Sequence, residues 1–275
     1  MKIAALIPAR FASTRFEGKP LAKIMGKSMI QHVWEGVSKS AVISEIIVAT
    51  EDKRVFDAVI NFGGNAVMTK DTHASGTDRI IEASENLDAD IILNIQGDEP
   101  LVNNEIIDAL IEPFKEDDGI IFTSVKTPIY SFEEFMDINS VKVVTDNSDY
   151  GIYFSRSPIP FDRNRYDLKF NLIDNIMNTN KKNNSNNSKD KKNNKGSEKP
   201  FGFKHLGFYG YRKDFLKTFG LLPPSYLEQK EMLEQLRAIE NGYKIKVKTV
   251  SISTIPVDIP ADIKKVESYL LKLYN

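Results

Sequence analysis

The chain of 275 residues contains no cysteine. Disulfides, thiolate nucleophiles and cysteine-ligated zinc are thereby excluded, and a reducing compartment fits. No stretch approaches the roughly 20 consecutive apolar residues that span a bilayer. The apolar run Ile3–Pro8 is closed by Arg10 and is too short for a secretory signal core, so it reads as a first strand. An excess of one charge is also missing. With 37 basic and 38 acidic residues the formal charge is −1, and no global field points to nucleic acid or to a membrane surface. The phosphate-binding signatures GxxxxGK followed by Ser or Thr, and GxGxxG, do not occur, which disfavours P-loop ATPase chemistry and dinucleotide binding. Nor is there a Ser/His/Asp order with a nucleophile elbow, which disfavours covalent hydrolase chemistry. These absences lead to the expectation of a cytoplasmic chain without membrane or nucleic-acid partners.

What is present is an ordinary globular composition, 41% hydrophobic and 27% charged. In the first half, short β-branched runs (Ile3–Ile7, Glu45–Thr50, Asn65–Met68, Ile91–Ile95, Ile120–Val125) alternate with helically spaced stretches (Met29–Val37, Lys53–Asn61, Asp78–Asn86, Asn104–Pro113). Nearly all-apolar strands alternating with helices predict an α/β fold whose mostly parallel sheet is flanked by helices. Such sheets bind ligands in the loops after the strands. The second half predicts strands at Val141–Thr145, Tyr150–Ser155, His205–Tyr211 and Lys244–Ser253, in a smaller mixed lobe. Helices are expected at Glu228–Asn241, entered through Pro223-Pro224-Ser225, and at Ala261–Leu271. From Asn178 to Glu198 no apolar residue occurs, and six lysines face only Asp190 and Glu198. This Asn/Lys-rich insertion is expected to be a disordered surface loop, because it has nothing to bury against its chain entropy.

The loop after the first strand, Pro8–Leu21, reads PARFASTRFEGKPL and carries Arg10, Arg15 and Lys19 with Ser13, Thr14 and Gly18 between them. Three cations among small residues suit a polyphosphate, although a solvated basic loop would read the same way. Asp98, in GDEP after the most apolar strand, can hold Mg²⁺ or serve as a turn and helix cap. Ser75, Gly76 and Arg79 read as a helix entry or as contacts that let backbone approach a base.

In these segments the chain resembles the 3-deoxy-manno-octulosonate (Kdo) cytidylyltransferases, also called CMP-Kdo synthetases. The family's IPARxxSTRxPGKPL corresponds to IPARFASTRFEGKPL at Ile7–Leu21. HASGTDR (His73–Arg79), NIQGDEP (Asn94–Pro100), VKVV (Val141–Val144) and YFSR (Tyr153–Arg156) follow in order. KHLGFYGYR (Lys204–Arg212), LEQKEMLEQLRAIENG (Leu227–Gly242) and VDIPAD (Val257–Asp262) complete the series, leaving roughly Leu168–Pro200 unmatched. The resemblance implies a nucleotide-diphospho-sugar transferase fold in one domain over 1–275, with the smaller lobe within about 126–225 helping to form a homodimer. It implies transfer of CMP from CTP to Kdo with release of pyrophosphate, for lipopolysaccharide-type glycan synthesis. Mg²⁺ is then held by Asp98 and Asp258. Arg10, Lys19 and Asp98 are catalytic, with Lys19 nearest the α-phosphate. Arg10, Ser13, Arg15, Lys19, Ser75, Gly76, Arg79 and Gln96 meet the nucleotide. Gln96, Arg156, His205, Tyr209, Glu234 and Gln235 meet the sugar, with Glu234 and Gln235 pointing about 100° apart on one helix. His32 and His73 read as structural. Glu17 stands where the family has proline, which places an acid beside the phosphate loop. Amino-Kdo or sialate as the acceptor, or an idle nucleotide-binding regulator, are the competing readings.

Overall fold

A computed structural model describes residues 1–163 and 199–274. The Asn178–Glu198 stretch lies outside the described residues. The strands are β1 (Ile3–Pro8), β2 (Lys23–Ile24), β3 (Lys27–Ser28), β4 (Glu45–Thr50), β5 (Asn65–Met68), β6 (Ile91–Asn94) and β7 (Phe122–Ile129). They continue with β8 (Lys142–Thr145), β9 (Gly151–Ser155), β10 (Gly202–Arg212) and β11 (Lys246–Thr249). The helices are α1 (Met29–Ser38), α2 (Lys53–Asn61), α3 (Gly76–Ser84), α4 (Asn104–Glu116), α5 (Phe132–Met136), α6 (Lys213–Leu221), α7 (Tyr226–Glu231), α8 (Leu236–Glu240) and α9 (Pro260–Tyr274).

The main sheet runs β11-β7-β10-β6-β1-β4-β5. Neighbours β5, β4, β1 and β6 are parallel, as are β7 and β11, and β10 alone runs against both β6 and β7. All six residues of β1 are buried, because helices cover both faces of the sheet. Side-chain alternation divides the core accordingly. Ile3, Ala5 and Ile7 join α1, α2 and α4 through Val33, Val55, Val59, Ile107 and Leu110. Ala4 and Leu6 point the other way, toward Ile80 of α3 and Phe215, Leu216 and Phe219 of α6. The strands β8 and β9 form an antiparallel annex on the first half of β10. Among the described residues no helix is long and apolar enough to cross a membrane.

Helix starts follow the sequence. Asp52 accepts from Arg54 N at 2.8 Å at the start of α2, and Asn103 from Ile106 N at 3.2 Å at the start of α4. Ser75 and Asp78 form a capping box on α3. Pro223-Pro224-Ser225 does precede a helix, and Glu228 accepts from Ser225 N at 3.0 Å. The single helix expected over Glu228–Asn241 is, however, two short ones. Met232 is left-handed (φ 54), and residues 232–235 form the turn between α7 and α8. Propensity favours a continuous helix here, but tertiary hydrogen bonds on Glu231 outweigh it. Glu234 and Gln235 therefore sit in a turn, and the 100° separation expected for neighbours within one helix does not apply.

Candidate active site

The C-terminal ends of β1, β4 and β6 and the start of α3 surround a cavity of about 790 Å³. Arg10, Ser13, Arg15 and Lys19 line one wall, Gly76 and Arg79 another, and Gln96 and Asp98 the floor. The parallel strands place these loops together, so residues 10, 79 and 98 become neighbours although they are far apart in sequence. Gly97 permits the close packing under the floor: a Cβ there would stand 2.7 Å from the Pro8 carbonyl oxygen.

Lys19 Nζ donates to Asp98 Oδ2 at 2.6 Å and lies 3.8 Å from Asp258 Oδ1, which in turn accepts from Arg15 Nη2 at 3.0 Å. A backbone bond from Val257 N to Asp98 O, 2.9 Å, fixes the two carboxylate segments side by side. Asp258 does not cap α9. That role falls to Asp262, whose Oδ2 accepts from the N–H groups of Asp258 and Ile259, both at 3.1 Å. Two acidic groups thus share one ammonium, a charge arrangement that suits a small hard cation equally well. The neighbouring Glu99 is 6% exposed, and burial followed by the Asp98 charge pushes its pKa up to about 8. Burial thus favours its neutral form.

Arg79 is fully buried. Its Nη2 stands 2.9 Å from Glu51 Oε2, but the N–H does not point at the oxygen, so the contact is ionic and no hydrogen bond forms. Nη1 bonds Thr69, and Nε has no hydrogen-bond partner. Burial lowers the pKa of Arg79, opposed by the charge of Glu51. Glu51 also accepts from Phe11 N at 3.0 Å, which ties the cationic loop to the end of β4. Sequence reasoning missed Glu51. Its position directly after an apolar parallel strand was the available signal. Glu17 is exposed, and the nearby Arg54 has its pKa raised chiefly by Asp52 and further by Glu17. The acid in place of proline is thus countered by a cation that sits 3.4 Å above the Phe11 ring.

Of the residues expected to meet the sugar, Gln96 lines this cavity and Arg156, His205, Tyr209, Glu234 and Gln235 do not. Gln96 Nε2 donates to Asn94 Oδ1 at 3.3 Å, and its Cγ passes 3.9 Å from where a Cβ on Gly207 would be. A bulge in β10 between Leu206 and Tyr209 separates His205 from Tyr209. Tyr209 OH donates to Gln235 Oε1 at 3.1 Å, and Gln235 Nε2 faces His205 Nδ1 at 3.5 Å. His205 Nε2 meets Ser124 Oγ at 2.8 Å, and that hydroxyl donates to Phe208 O at 2.8 Å. Because Ser124 spends its proton on the carbonyl, it accepts from His205, which assigns the neutral Nε2–H tautomer. Burial agrees, pushing the His205 pKa down to about 3. Glu234 is held from the start of α3: Thr77 Oγ1 donates to Oε2 at 2.5 Å and Ser75 Oγ to Oε1 at 3.2 Å. Ser75 thus faces Glu234, while its neighbour Gly76 faces the cavity. Arg156 is gripped by backbone carbonyls, Nε by Glu231 O at 2.8 Å and Nη1 by Ile138 O at 3.1 Å. His73 pairs with Glu82, and His32 Nε2 with Ile24 O at 2.8 Å, so both have structural partners.

Burying His205 as the neutral imidazole has a measurable consequence. Below the ordinary histidine pKa the unfolded chain takes a proton that the folded chain refuses, so stability falls as pH drops from about 6.5 toward 3. Between pH 6.5 and 5 this one group costs about 2 kcal/mol. Urea unfolding of His205→Asn against pH is expected to show an acid limb shallower by one proton. An unchanged slope would contradict the neutral assignment.

The cytidylyltransferase family profile matches residues 4–246. The chain is 47% identical over 273 residues to the 3-deoxy-manno-octulosonate cytidylyltransferase of Geotalea uraniireducens (strain Rf4), covering 99% of this chain and 100% of that protein. It is 48% identical over 267 residues to the enzyme of the same name from Geotalea daltonii, covering 97% of each. A solved CMP:2-keto-3-deoxy-manno-octonic acid synthetase complexed with CTP superposes with a TM-score of 0.82 at 37% identity, covering 99% of each chain. The chain belongs to the cytidylyltransferase family, and within it to the 3-deoxy-manno-octulosonate cytidylyltransferases.

Proposed function

We infer that this chain transfers the cytidylyl group of CTP to 3-deoxy-manno-octulosonate, forming CMP-Kdo and releasing pyrophosphate. The observation that carries this is end-to-end identity near one half with Kdo cytidylyltransferases, joined to a cavity lined by the cationic loop, Gln96 and Asp98. The anomeric hydroxyl of the sugar attacks the α-phosphorus, and the bond to the bridging oxygen of pyrophosphate breaks. Negative charge on the triphosphate is high throughout, so the protein contributes mainly position and positive charge. Arg10, Arg15 and Lys19 supply that charge from one loop. Ser13 and the backbone of the same loop add neutral donors. Arg79 and the backbone of Gly76, both lining the cavity, serve the base and ribose. Gln96 lies between the nucleotide and sugar sides.

Asp98 and Asp258 fit Mg²⁺, since their carboxylates already converge on one cation, the Lys19 ammonium. The ion, if bound there, would neutralise negative charge on the phosphates. Lys19 would add its own positive charge beside the α-phosphate. On the sugar side Arg156 meets the acceptor's carboxylate, while Tyr209, His205, Glu234 and Gln235 supply neutral and acidic partners for its hydroxyls. A homodimer through the annex is part of this reading. Tyr130, Ile138 and Ile152, exposed by 58%, 65% and 58%, lie on or beside it.

The test is pyrophosphate release with CTP and Mg²⁺, run in parallel with Kdo, amino-Kdo, sialic acid and no sugar. Release that depends on Kdo is expected. Release with none of the sugars would overturn the function, and release with another one alone would reassign the acceptor.

A further inference from the structure

Glu231 belongs to none of the groups assigned above, yet four contacts to the strand that bears Arg156 converge on it. Its Oε1 accepts from Ser155 Oγ at 2.6 Å and from Tyr153 OH at 3.2 Å, and its Oε2 accepts from Arg156 N at 3.0 Å. Its backbone oxygen accepts from Arg156 Nε at 2.8 Å. Burial opposes ionisation of Glu231, but these donors prevail and hold its pKa below the usual glutamate value. The residue closes α7, and Met232 immediately after it takes the left-handed conformation that breaks the helix. Glu234 and Gln235 follow in that turn. One carboxylate therefore joins two segments distant in sequence: the end of β9, with Arg156, and the turn bearing two further sugar-side groups.

We propose that Glu231 is the positioning residue for the acceptor sugar. It fixes the guanidinium of Arg156 against the 232–235 turn, so that the sugar's carboxylate and hydroxyls are met at one spacing. The identity of the acceptor rests on the function inferred above; the clamp itself does not. With Nε and Nη1 occupied by carbonyls, Nη2 is the edge of Arg156 that has no partner among the described residues. It therefore keeps donors to spare for a carboxylate. From the opposite side Lys142, fully buried, donates to Arg156 O at 2.6 Å and to Asp137 O at 2.8 Å, so the strand end is held from both directions.

Glu231→Ala leaves the nucleotide loop untouched and is expected to raise the sugar KM about 10- to 100-fold, because angstrom-scale displacement of a binding group costs that much. The CTP KM should stay within about twofold, since Glu231 makes its bonds to Tyr153, Ser155 and Arg156 and not to the cationic loop. Glu231→Gln keeps an acceptor for Ser155 and Tyr153 but loses the one for Arg156 N, and should recover part of the sugar KM. Amide hydrogen exchange supplies a readout independent of substrate. Residues 153–157 and 232–236 should lose protection together in Glu231→Ala while β1 and β6 keep theirs. An unchanged sugar KM, equal rises in both KM values, or unchanged exchange in either segment would overturn the proposal. If the wild type consumes no acid sugar but the coupled loss of protection is seen, the functional reading falls and the clamp stands.

Discussion

Asp98→Asn is expected to lower kcat/KM for pyrophosphate release by about 1,000-fold, while the folded state remains as stable as the wild type. The side chain is 30% exposed and its ion pair with Lys19 lies at the edge of solvent, so its net stabilisation is at most about 1 kcal/mol. Asparagine keeps the shape but carries no charge to hold a cation beside Asp258. Lys19 also loses the partner, 2.6 Å away, that fixes its ammonium on the cavity floor. Both losses act on the step in which charge moves from the α-phosphate to the departing oxygen. Raising Mg²⁺ should restore part of the rate if the carboxylate is an ion ligand, and none if it only orients Lys19. Activity within tenfold of wild type at every Mg²⁺ concentration would remove Asp98 from the chemistry.

Arg79→Met should destabilise the fold by about 3 kcal/mol, because removing one partner of a buried pair leaves the other charge uncompensated. Arg79 is 0% exposed and Glu51 15% exposed, so water cannot take the place of the guanidinium. Adding Glu51→Gln should return a good part of that loss, since the amide needs no counter-charge and can still accept from Phe11 N. Urea unfolding of the two single variants and the double variant measures the coupling. Purely additive losses would show that the pair does not interact. CTP binding should weaken in Arg79→Met and in the double variant, because Arg79 lines the cavity.

Most of the scaffold was legible because apolar periodicity and capping residues are local properties. Lys53–Asn61, Glu45–Thr50 and Asn65–Met68 form with the bounds expected from the sequence, and Asp52, Ser75 and Asn103 start helices as their chemistry directs. The cluster of cations in the loop Pro8–Leu21 was visible in the sequence. The motif order identified the family, and the relatives agree with it. The break at Met232 was not legible. A sequence of good helix formers carries no sign that Glu231 will be drawn to Ser155 and Arg156, residues some 75 positions away.

The sequence by itself thus determined the layered α/β class, the family, and the cationic loop, because periodicity, capping and motif spacing are written along the chain. Tertiary structure alone decided which charges meet. It set Lys19 between Asp98 and Asp258, buried Arg79 against Glu51, ordered the Tyr209–Gln235–His205–Ser124 relay, and hung Arg156 on Glu231. The physical reason is that burial, charge pairing and tautomer are properties of a neighbourhood. Segments distant in sequence create it only when the sheet brings their ends together.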